Sequence, residues 1–294
     1  MHLKKTKGEL TVNNYLTVAM FQMHYKSSDD GLNEINSKDS YYKYEMTKVA
    51  TIIQNKKPDI AMLPEMSFSE EYDSVFRSLS KSTLIIAGSY YKESNNITVV
   101  FQNGERFEFL KRYPSGKEVM SRHTEHLPHE EFLSKYLKEH EFTIKGKKIY
   151  VFNCLEFYQI AYFVARDTKI RENLFGIFVT CANSNTPLFE QESICIHNHN
   201  EKIYTFVVNT IGKAIKSDGD GQSYIYGPVS THEKRWLVKD GLNSKMDIPS
   251  HVISLSERKS QYVIGKFLFY EALSRFTRSD FYQSNPKDIR VYDL

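Results

Sequence analysis

The chain has 294 residues, of which 40% are hydrophobic and 14% aromatic, and this composition excludes disordered and fibrous proteins. Its 39 basic and 36 acidic side chains give a formal net charge of +3 and are scattered along the chain, so nothing indicates a nucleic-acid partner. No apolar run reaches the roughly 18 residues of a membrane span, and no secretory-type segment follows the first lysines, so we expect a cytoplasmic protein without a membrane partner.

Predicted elements in the first half of the chain alternate between strands and helices. The spacing of apolar residues predicts a strand at Leu16–Met23, a helix from about Lys43 to Lys56, a strand at Ile60–Leu63, a helix from about Tyr72 to Leu79, and strands at Thr83–Gly88, Ile97–Phe101 and Phe107–Leu110. Asn95 and Asn96 are typical of a turn, and Asn103-Gly104 is typical of a tight hairpin.

The second half begins with a polar stretch, Arg112–His129, that is long enough to predict a functional loop. After it the pattern predicts a short helix near Phe132–Leu137, strands at Lys148–Asn153, Phe175–Cys181, Ile203–Val208 and Ser223–Tyr226 with helices between the first three, a strand at Val252–Leu255, and a helix at Gln261–Phe276. Strands mixed with helices throughout predict a layered α/β fold. Because no linker or internal repeat divides the chain, we expect a single domain over residues 1–294.

Three polar residues stand where predicted strands give way to loops: Glu65, Lys111 and Cys154. Taken one at a time, each has an ordinary structural interpretation, as a capping or surface carboxylate, a solvated strand end and a small core residue. Together they supply the base, cation and nucleophile that thiol catalysis needs. The hypothesis of an active site therefore depends on the combination.

The segments around these residues resemble the nitrilase, or carbon–nitrogen hydrolase, superfamily, whose members carry a glutamate, a lysine and a cysteine in this chain order. The most specific match is Gly146–Glu156, in which a glycine, an aliphatic strand, the cysteine, a bulky residue and an acid follow one another. The other matching segments are Leu16–Gln22, Pro58–Glu65, Phe178–Asn185 with Phe189, Tyr204–Asn209 with Gly212, and Gly221–Pro228.

The resemblance covers about residues 15–256, leaves 257–294 as a C-terminal extension, and implies a four-layer α-β-β-α sandwich with two mixed sheets. It implies that Glu65, Lys111 and Cys154 are catalytic. The residues that it places against the substrate are Leu155, Glu156, Asn183 and Asn185.

A second glutamate of the site is also implied in the loop after the lysine. Glu118, Glu125, Glu130 and Glu131 compete for this role, and we favour Glu130 because it follows Pro128.

The chemistry explains why these residue types belong together. Covalent catalysis by a thiol divides the hydrolysis of a poor electrophile into two lower barriers. We expect Glu65 to remove the proton of Cys154, and Lys111 with the backbone N–H of Leu155 to hold the oxyanion. The scheme requires no metal and no organic cofactor.

Other candidates favour structural roles. Three cysteines without metal-ligand spacing predict neither a disulfide framework nor a zinc site. Cys181 is interpreted as a core residue. His197 and His199 lack the spacing of a metal-binding helix face.

The predicted function is hydrolysis of a non-peptide carbon–nitrogen bond in a small amide or carbamoyl compound, with a nitrile less favoured. One alternative is a glutaminase that supplies ammonia to a partner. Another is a catalytically silent binding or regulatory module, because the segment after Lys111 has diverged and Asn200-Glu201 reverses the order found in many members. The resemblance also implies a homodimer or a higher homo-oligomer.

Overall fold

Strands and helices in the computed structural model largely follow the alternation predicted from the sequence. The structure describes residues 15–24, 39–93, 95–113, 130–183, 185–199, 202–214, 217–229, 251–269 and 286–294, with positions 235, 237 and 241. The strands are β1 (Tyr15–Gln22), β2 (Ile60–Met62), β3 (Leu84–Lys92), β4 (Asn95–Gln102), β5 (Glu105–Leu110), β6 (Glu141–Ile144), β7 (Lys147–Asn153), β8 (Leu174–Cys181), β9 (Tyr204–Asn209), β10 (Ile211–Ala214), β11 (Ser217–Asp220), β12 (Tyr224–Tyr226), β13 (His251–Ser254), β14 (Gln261–Leu268) and β15 (Lys287–Asp293). The helices are α1 (Ser40–Lys56), α2 (Asp73–Leu79), α3 (Glu130–Glu139), α4 (Leu155–Arg166), α5 (Thr168–Arg171) and α6 (Thr186–His199).

Most of these strands belong to two mixed sheets. The first has the order β15-β14-β1-β2-β3-β4-β5, with β1, β2 and β3 parallel and the other pairs antiparallel. The second has the order β13-β12-β9-β8-β7-β6, with β7, β8 and β9 parallel. Because parallel strands end at the same edge of a sheet, the residues that follow β7 and β8 are neighbours.

The two sheets pack face to face. Val18 and Met20 of β1 share one buried cluster with Val151 of β7, and Phe178 and Phe206 stack in this layer with ring centroids 4.6 Å apart. The alternate residues of the same strands pack against α1 and α2 on one side and against α4 and α6 on the other. The predicted four-layer α-β-β-α arrangement is therefore confirmed.

Helix α1 shows how the local sequence sets an element. Asp39 caps its N-terminus by accepting a hydrogen bond from the Tyr41 N–H at 2.9 Å. The helix ends at Lys56. Lys57 caps its C-terminus with a left-handed φ of 45°, and Pro58 follows. Both boundaries agree with the prediction to within a few residues.

The predicted helix at Gln261–Phe276 is wrong over the part that the structure describes. Residues 261–268 form β14, which pairs with β1 along its length and with β15 on its other side, whereas 270–276 lie outside the described residues. Tyr262, Val263 and Ile264 favour strand conformation, and strand partners on both sides decide the outcome. A segment predicted as an extension therefore supplies an inner strand of the first sheet.

The predicted turn at Asn95-Asn96 is also wrong, because both residues belong to β4. The chain reverses before them, where Glu93 has a positive φ of 50°. The hairpin predicted at Asn103-Gly104 is confirmed, since both residues have positive φ and join the antiparallel pair β4 and β5. Strands β6, β10, β11 and β15 were not predicted.

We expect Gly88→Ala to destabilise the protein by about 2–5 kcal/mol, the sum of a left-handed backbone penalty and an overpacking penalty. Gly88 has φ +81°, and an added Cβ would lie 2.0 Å from the Pro64 carbonyl oxygen and 2.4 Å from Ser67 Oγ. The matched control is Gly104→Ala, where φ is +85° but the nearest atoms are 3.9 Å away. This control should cost only about 1–2 kcal/mol. Urea unfolding measures both, and equal losses would show that the crowding at Gly88 is relieved by movement of the turn.

Candidate active site

Glu65 lies in a tight turn that follows β2 and is fixed to β3. Ser67 Oγ donates to the Pro64 carbonyl at 2.7 Å and to the Ala87 carbonyl at 3.0 Å. The Met66 N–H donates to Ser89 Oγ at 3.0 Å, and Met66 itself has a positive φ of 65°. The carboxylate is therefore held at a fixed place by backbone that the neighbouring strand constrains.

The Glu65 carboxylate is buried and accepts hydrogen bonds from three directions. Lys111 Nζ donates to Oε1 at 2.7 Å, Asn96 Nδ2 donates to the same oxygen at 2.9 Å, and the Ala182 N–H donates to Oε2 at 3.0 Å. The first two donors belong to the first sheet, whereas Ala182 follows β8 of the second. Glu65 thus lies where the two sheets meet.

Lys111 is the first residue after β5, and its backbone N–H donates to the Asn96 carbonyl at 2.8 Å. Only 2% of its side chain is exposed, against 5% for Glu65. An ion pair this well buried is expensive to desolvate and depends on its remaining hydrogen bonds for compensation. The structure brings these two predicted residues into contact, and their catalytic role stays a prediction.

Cys154 occupies a strained turn between β7 and α4. Its backbone has φ 51° and ψ −114°, an unusual conformation for a residue with a side chain. The Cys154 N–H donates to the Thr180 carbonyl at 2.8 Å, and its carbonyl accepts from the Phe157 N–H at 3.0 Å. Helix α4 begins at the next residue, and the first N–H groups of a helix stabilise negative charge placed near them.

Asn153 links the cysteine segment to the carboxylate. Its Nδ2 donates to Asn96 Oδ1 at 3.2 Å and to Thr98 Oγ1 at 3.0 Å. A chain of hydrogen bonds therefore runs from the residue before Cys154, through Asn96, to Glu65. Asn96 was not predicted from the sequence as a site residue. The pattern could have indicated it, because Asn96 and Thr98 alternate with apolar residues and so lie on one polar face of a strand.

Cys181 lies beside Cys154, because Asn153 and Thr180, the residues before them, are paired in the register of β7 and β8. Burial raises the pKa of the Cys181 thiol well above its usual range, and the neighbouring Cys154 and Glu65 raise it further. Lys111 acts in the opposite direction. Cys181 is therefore a buried core residue, as predicted, and it also lies near the three predicted catalytic residues.

Leu155 and Glu156 open helix α4. Leu155 is half-buried at the first helical position, where backbone N–H groups have no acceptor within the helix. The buried Glu156 carboxylate accepts from the Asn153 N–H at 3.1 Å and from the Arg112 N–H at 2.8 Å. Glu156 thus ties the backbone after Lys111 to the backbone before Cys154, and its predicted contact with substrate stays a prediction.

Asn183 and Asn185 follow β8 at the same sheet edge. The Asn183 N–H donates to Asn209 Oδ1 at 2.9 Å, and Asn209 Nδ2 donates back to the Asn183 carbonyl at 2.7 Å. Asn183 Oδ1 in turn accepts from the N–H of the exposed Asn185 at 2.7 Å. Asn209, the asparagine of the predicted Asn-x-x-Gly segment, therefore fixes the loop that carries both candidate substrate contacts.

Several predictions fall on residues that the structure does not describe. Glu130 begins α3, but its side chain and that of Glu131 lie outside the described part, as do Glu118 and Glu125. The same holds for most of the predicted functional loop, residues 114–129, and for Asn200 and Glu201. The assignment of Glu130 as the second glutamate stays a prediction.

The described residues contain neither a cluster of metal ligands nor a membrane-spanning helix. Nowhere among them do three or more histidine, cysteine, aspartate or glutamate side chains gather as a metal site would require. Within the same ranges, every helix is too short or too polar to cross a membrane.

No protein-family model and no curated protein matches the sequence, but solved structures do. A double mutant of the amidase from Nesterenkonia sp. AN1 in complex with acrylamide is 10% identical with a TM-score of 0.57, covering 94% of this chain and 99% of that one. A mutant of the same amidase with butyramide is 11% identical with a TM-score of 0.55, covering 95% and 100%. That amidase is described as a nitrilase-superfamily protein. The chain has the nitrilase-superfamily fold.

A larger enzyme shares this fold over part of its length. Glutamine-dependent NAD+ synthetase from Acinetobacter baumannii is 14% identical with a TM-score of 0.52. The match covers 86% of this chain but 45% of the synthetase, so the chain spans less than half of that protein. At these identities the likeness concerns the fold alone.

We expect Lys111→Met to lower the free energy of unfolding by about 3–5 kcal/mol, because it leaves the Glu65 carboxylate buried without its cation. The control is Lys266→Met, which removes an exposed pair with Asp288 of similar length, 2.9 Å, and should change stability by less than about 1 kcal/mol. Adding Glu65→Gln to Lys111→Met should recover much of the loss. Urea unfolding measures the free energy of unfolding of each variant. A decrease for Lys111→Met no greater than that for Lys266→Met would contradict a buried, charged pair.

Proposed function

We propose that this protein hydrolyses a non-peptide carbon–nitrogen bond of a small amide or carbamoyl compound through a thioester on Cys154. The observation that carries the proposal is the buried Glu65–Lys111 pair joined to the cysteine segment through Asn96 and Asn153. Burying a charged pair costs desolvation free energy. This site nevertheless retains a carboxylate, an ammonium and a strained cysteine in one network, and these are the groups that thiol catalysis uses.

In the first step Glu65 removes the thiol proton of Cys154, and the thiolate attacks the substrate carbon. The oxyanion that forms is held by the Lys111 ammonium and by the backbone N–H of Leu155 at the start of α4. The protonated Glu65 then gives its proton to the departing nitrogen. Ammonia or an amine leaves, and the acyl group stays on sulfur.

In the second step Glu65 accepts a proton from water, which attacks the thioester carbonyl. The sulfur–carbon bond breaks, the acid is released, and the Cys154 thiol is restored. Throughout, the Asn96 and Ala182 donors hold the carboxylate in place, so no reorganisation of the base is needed between the steps. Protein groups and water supply the whole scheme.

The substrate class follows from chemistry and from the fold neighbours. The Nesterenkonia amidase is described in complexes with acrylamide and butyramide, and with an acetamide moiety added covalently at its active-site cysteine. We infer that this chain also accepts short amides, with Leu155, Glu156, Asn183 and Asn185 as candidate contacts and Glu130 as the second glutamate of the catalytic site. A nitrile is a less favoured substrate.

A glutaminase is the second candidate function. Its specific support is the match to a glutamine-dependent synthetase of which this chain would correspond to one part. Glutamine is itself a primary amide, so the same chemistry would serve. In this case ammonia release would rise in the presence of a partner protein. A catalytically silent module remains the third hypothesis.

We propose a cytoplasmic protein that forms a homodimer or a higher homo-oligomer, on the basis of the composition and of the sequence resemblance.

We expect the protein to release ammonia from at least one compound in a panel of short amides, carbamoyl compounds, nitriles and glutamine. Cys154→Ala should abolish this release, because the covalent intermediate cannot form. Cys195→Ala is the matched control on a half-exposed cysteine of α6 and should retain full activity. Mass spectrometry of the intact protein should show an acyl adduct on wild type and on Cys195→Ala, but not on Cys154→Ala. Activity that survives Cys154→Ala would exclude this cysteine as the nucleophile, and silence of every protein would favour the binding module.

Asn96→Ala should lower kcat about 10- to 100-fold while leaving KM nearly unchanged. The substitution removes a hydrogen bond to a charged carboxylate, worth about 1.5–3 kcal/mol, and each 1.36 kcal/mol is tenfold in rate. The control is Asn95→Ala, the exposed neighbour whose Nδ2 donates to the Glu93 carbonyl. Steady-state kinetics compare the two variants. A rise in KM with kcat intact would assign Asn96 to substrate binding instead.

A further inference from the structure

The proposed hydrolysis leaves one nucleophilic group in the site without a role, the thiol of Cys181. This residue is the last of β8 and 1% exposed, and it lies beside Cys154 in the register of β7 and β8. Both thiols are free, and both side chains belong to the same apolar cluster. A second cysteine in contact with a nucleophilic one is a chemical feature that packing alone does not require.

Strand register places the two cysteines side by side. β7 and β8 are parallel with Asn153 paired to Thr180, so Cys154 and Cys181 are the next residues along each strand. The Cys154 N–H continues the ladder to the Thr180 carbonyl at 2.8 Å. Neighbouring strands are about 4.8 Å apart, and a disulfide bridges Cα atoms about 4.4–6.8 Å apart. A bond between the two sulfurs therefore needs little movement of the backbone.

We propose that Cys154 and Cys181 form a reversible disulfide when the protein meets hydrogen peroxide or another hydroperoxide, with Cys181 as the resolving thiol. The inference rests on the reactive thiol of the proposed function and not on its substrate. The disulfide would block hydrolysis, because the nucleophilic sulfur is consumed. It would also protect that sulfur from irreversible oxidation.

The two steps balance as follows. The Cys154 thiolate attacks one peroxide oxygen, the oxygen–oxygen bond breaks, and a sulfenic acid forms while the released hydroxide takes a proton and leaves as water. The Cys181 sulfur then attacks the sulfenic sulfur, and the sulfur–oxygen bond breaks. The leaving hydroxide and the Cys181 proton become a second water. Two thiols are oxidised and one peroxide is reduced.

We assign Glu65 as the base that accepts the Cys181 proton when the Cys181 sulfur attacks the sulfenic acid. Its charge interacts with Cys181, and its Oε2 accepts from the N–H of the next residue, Ala182. Burial and these neighbours hold the pKa of Cys181 high, so its proton must pass to a nearby acceptor as the new bond forms.

The test treats the full-length protein with hydrogen peroxide and maps its peptides without reduction. In wild type we expect a Cys154–Cys181 cross-link, a mass lower by two hydrogen atoms, and restoration of both thiols by dithiothreitol. Cys195→Ser should behave like wild type. Cys181→Ala and Cys181→Ser should instead accumulate a sulfenic acid on Cys154 that dimedone traps, and then an oxidised form that dithiothreitol does not reverse.

The wild-type peptide map alone can overturn the inference, whatever the stability of the variants. Sulfinic acid on Cys154 beside an unmodified Cys181, or a cross-link of Cys154 to Cys195, would do so. Both outcomes are read as masses. A cross-link in a protein without amide hydrolysis would uphold this inference and reject the hydrolase, whereas hydrolysis without the cross-link would do the reverse.

Discussion

The buried carboxylate of Glu65 is the constraint on which the rest of the site depends. It is bound by Lys111 and Asn96 from the first sheet and by the Ala182 N–H from the second, so the two sheets share one charged group at their common edge. Since a buried carboxylate without its donors is unstable, the positions of β4, β5 and β8 relative to one another are fixed by the same bonds that would prepare a base for catalysis. Structure and chemistry here rest on the same hydrogen bonds.

Three residues with strained backbone lie in or against the turns that carry Glu65 and Cys154. Cys154, Met66 and Gly88 all have positive φ, and each is held by hydrogen bonds or close packing from a neighbouring strand. Strain of this kind costs about 1–3 kcal/mol for each residue with a side chain and persists only where the surroundings enforce it. The layered core, with one apolar cluster between the sheets and one on each outer face, supplies that rigidity. A thiol nucleophile benefits because its direction is set before substrate arrives.

The similar solved structures support the fold of this chain, whereas its own hydrogen-bond network supports the proposed function. Amidases and a synthetase share the architecture at 10–14% identity, which is a statement about how two mixed sheets and their helices pack. The function proposed for this chain comes instead from its own network, from Glu65 through Asn96 and Asn153 to the cysteine turn. The register of β7 and β8 places Cys181 beside this cysteine turn, where the proposed disulfide would form. The proposed nucleophile and the thiol proposed to inactivate it would then lie at the same edge of the second sheet.

The sequence by itself determined the elements whose signals are local and the chain order of the three candidate catalytic residues. Helix α1 with its cap, the Asn103-Gly104 hairpin and the strand before Cys154 need only neighbours in sequence to be recognised. Tertiary structure decided the rest. Residues 261–268 became a strand because β1 and β15 supply partners far away in the chain, and Asn96 became part of the site because Glu65 and Asn153 meet it from other strands. Cys181 was read correctly as buried, but its contact with Cys154 depends on the parallel register of β7 and β8. Local periodicity records which face of an element is apolar, whereas pairing between distant segments is set by how the whole core packs.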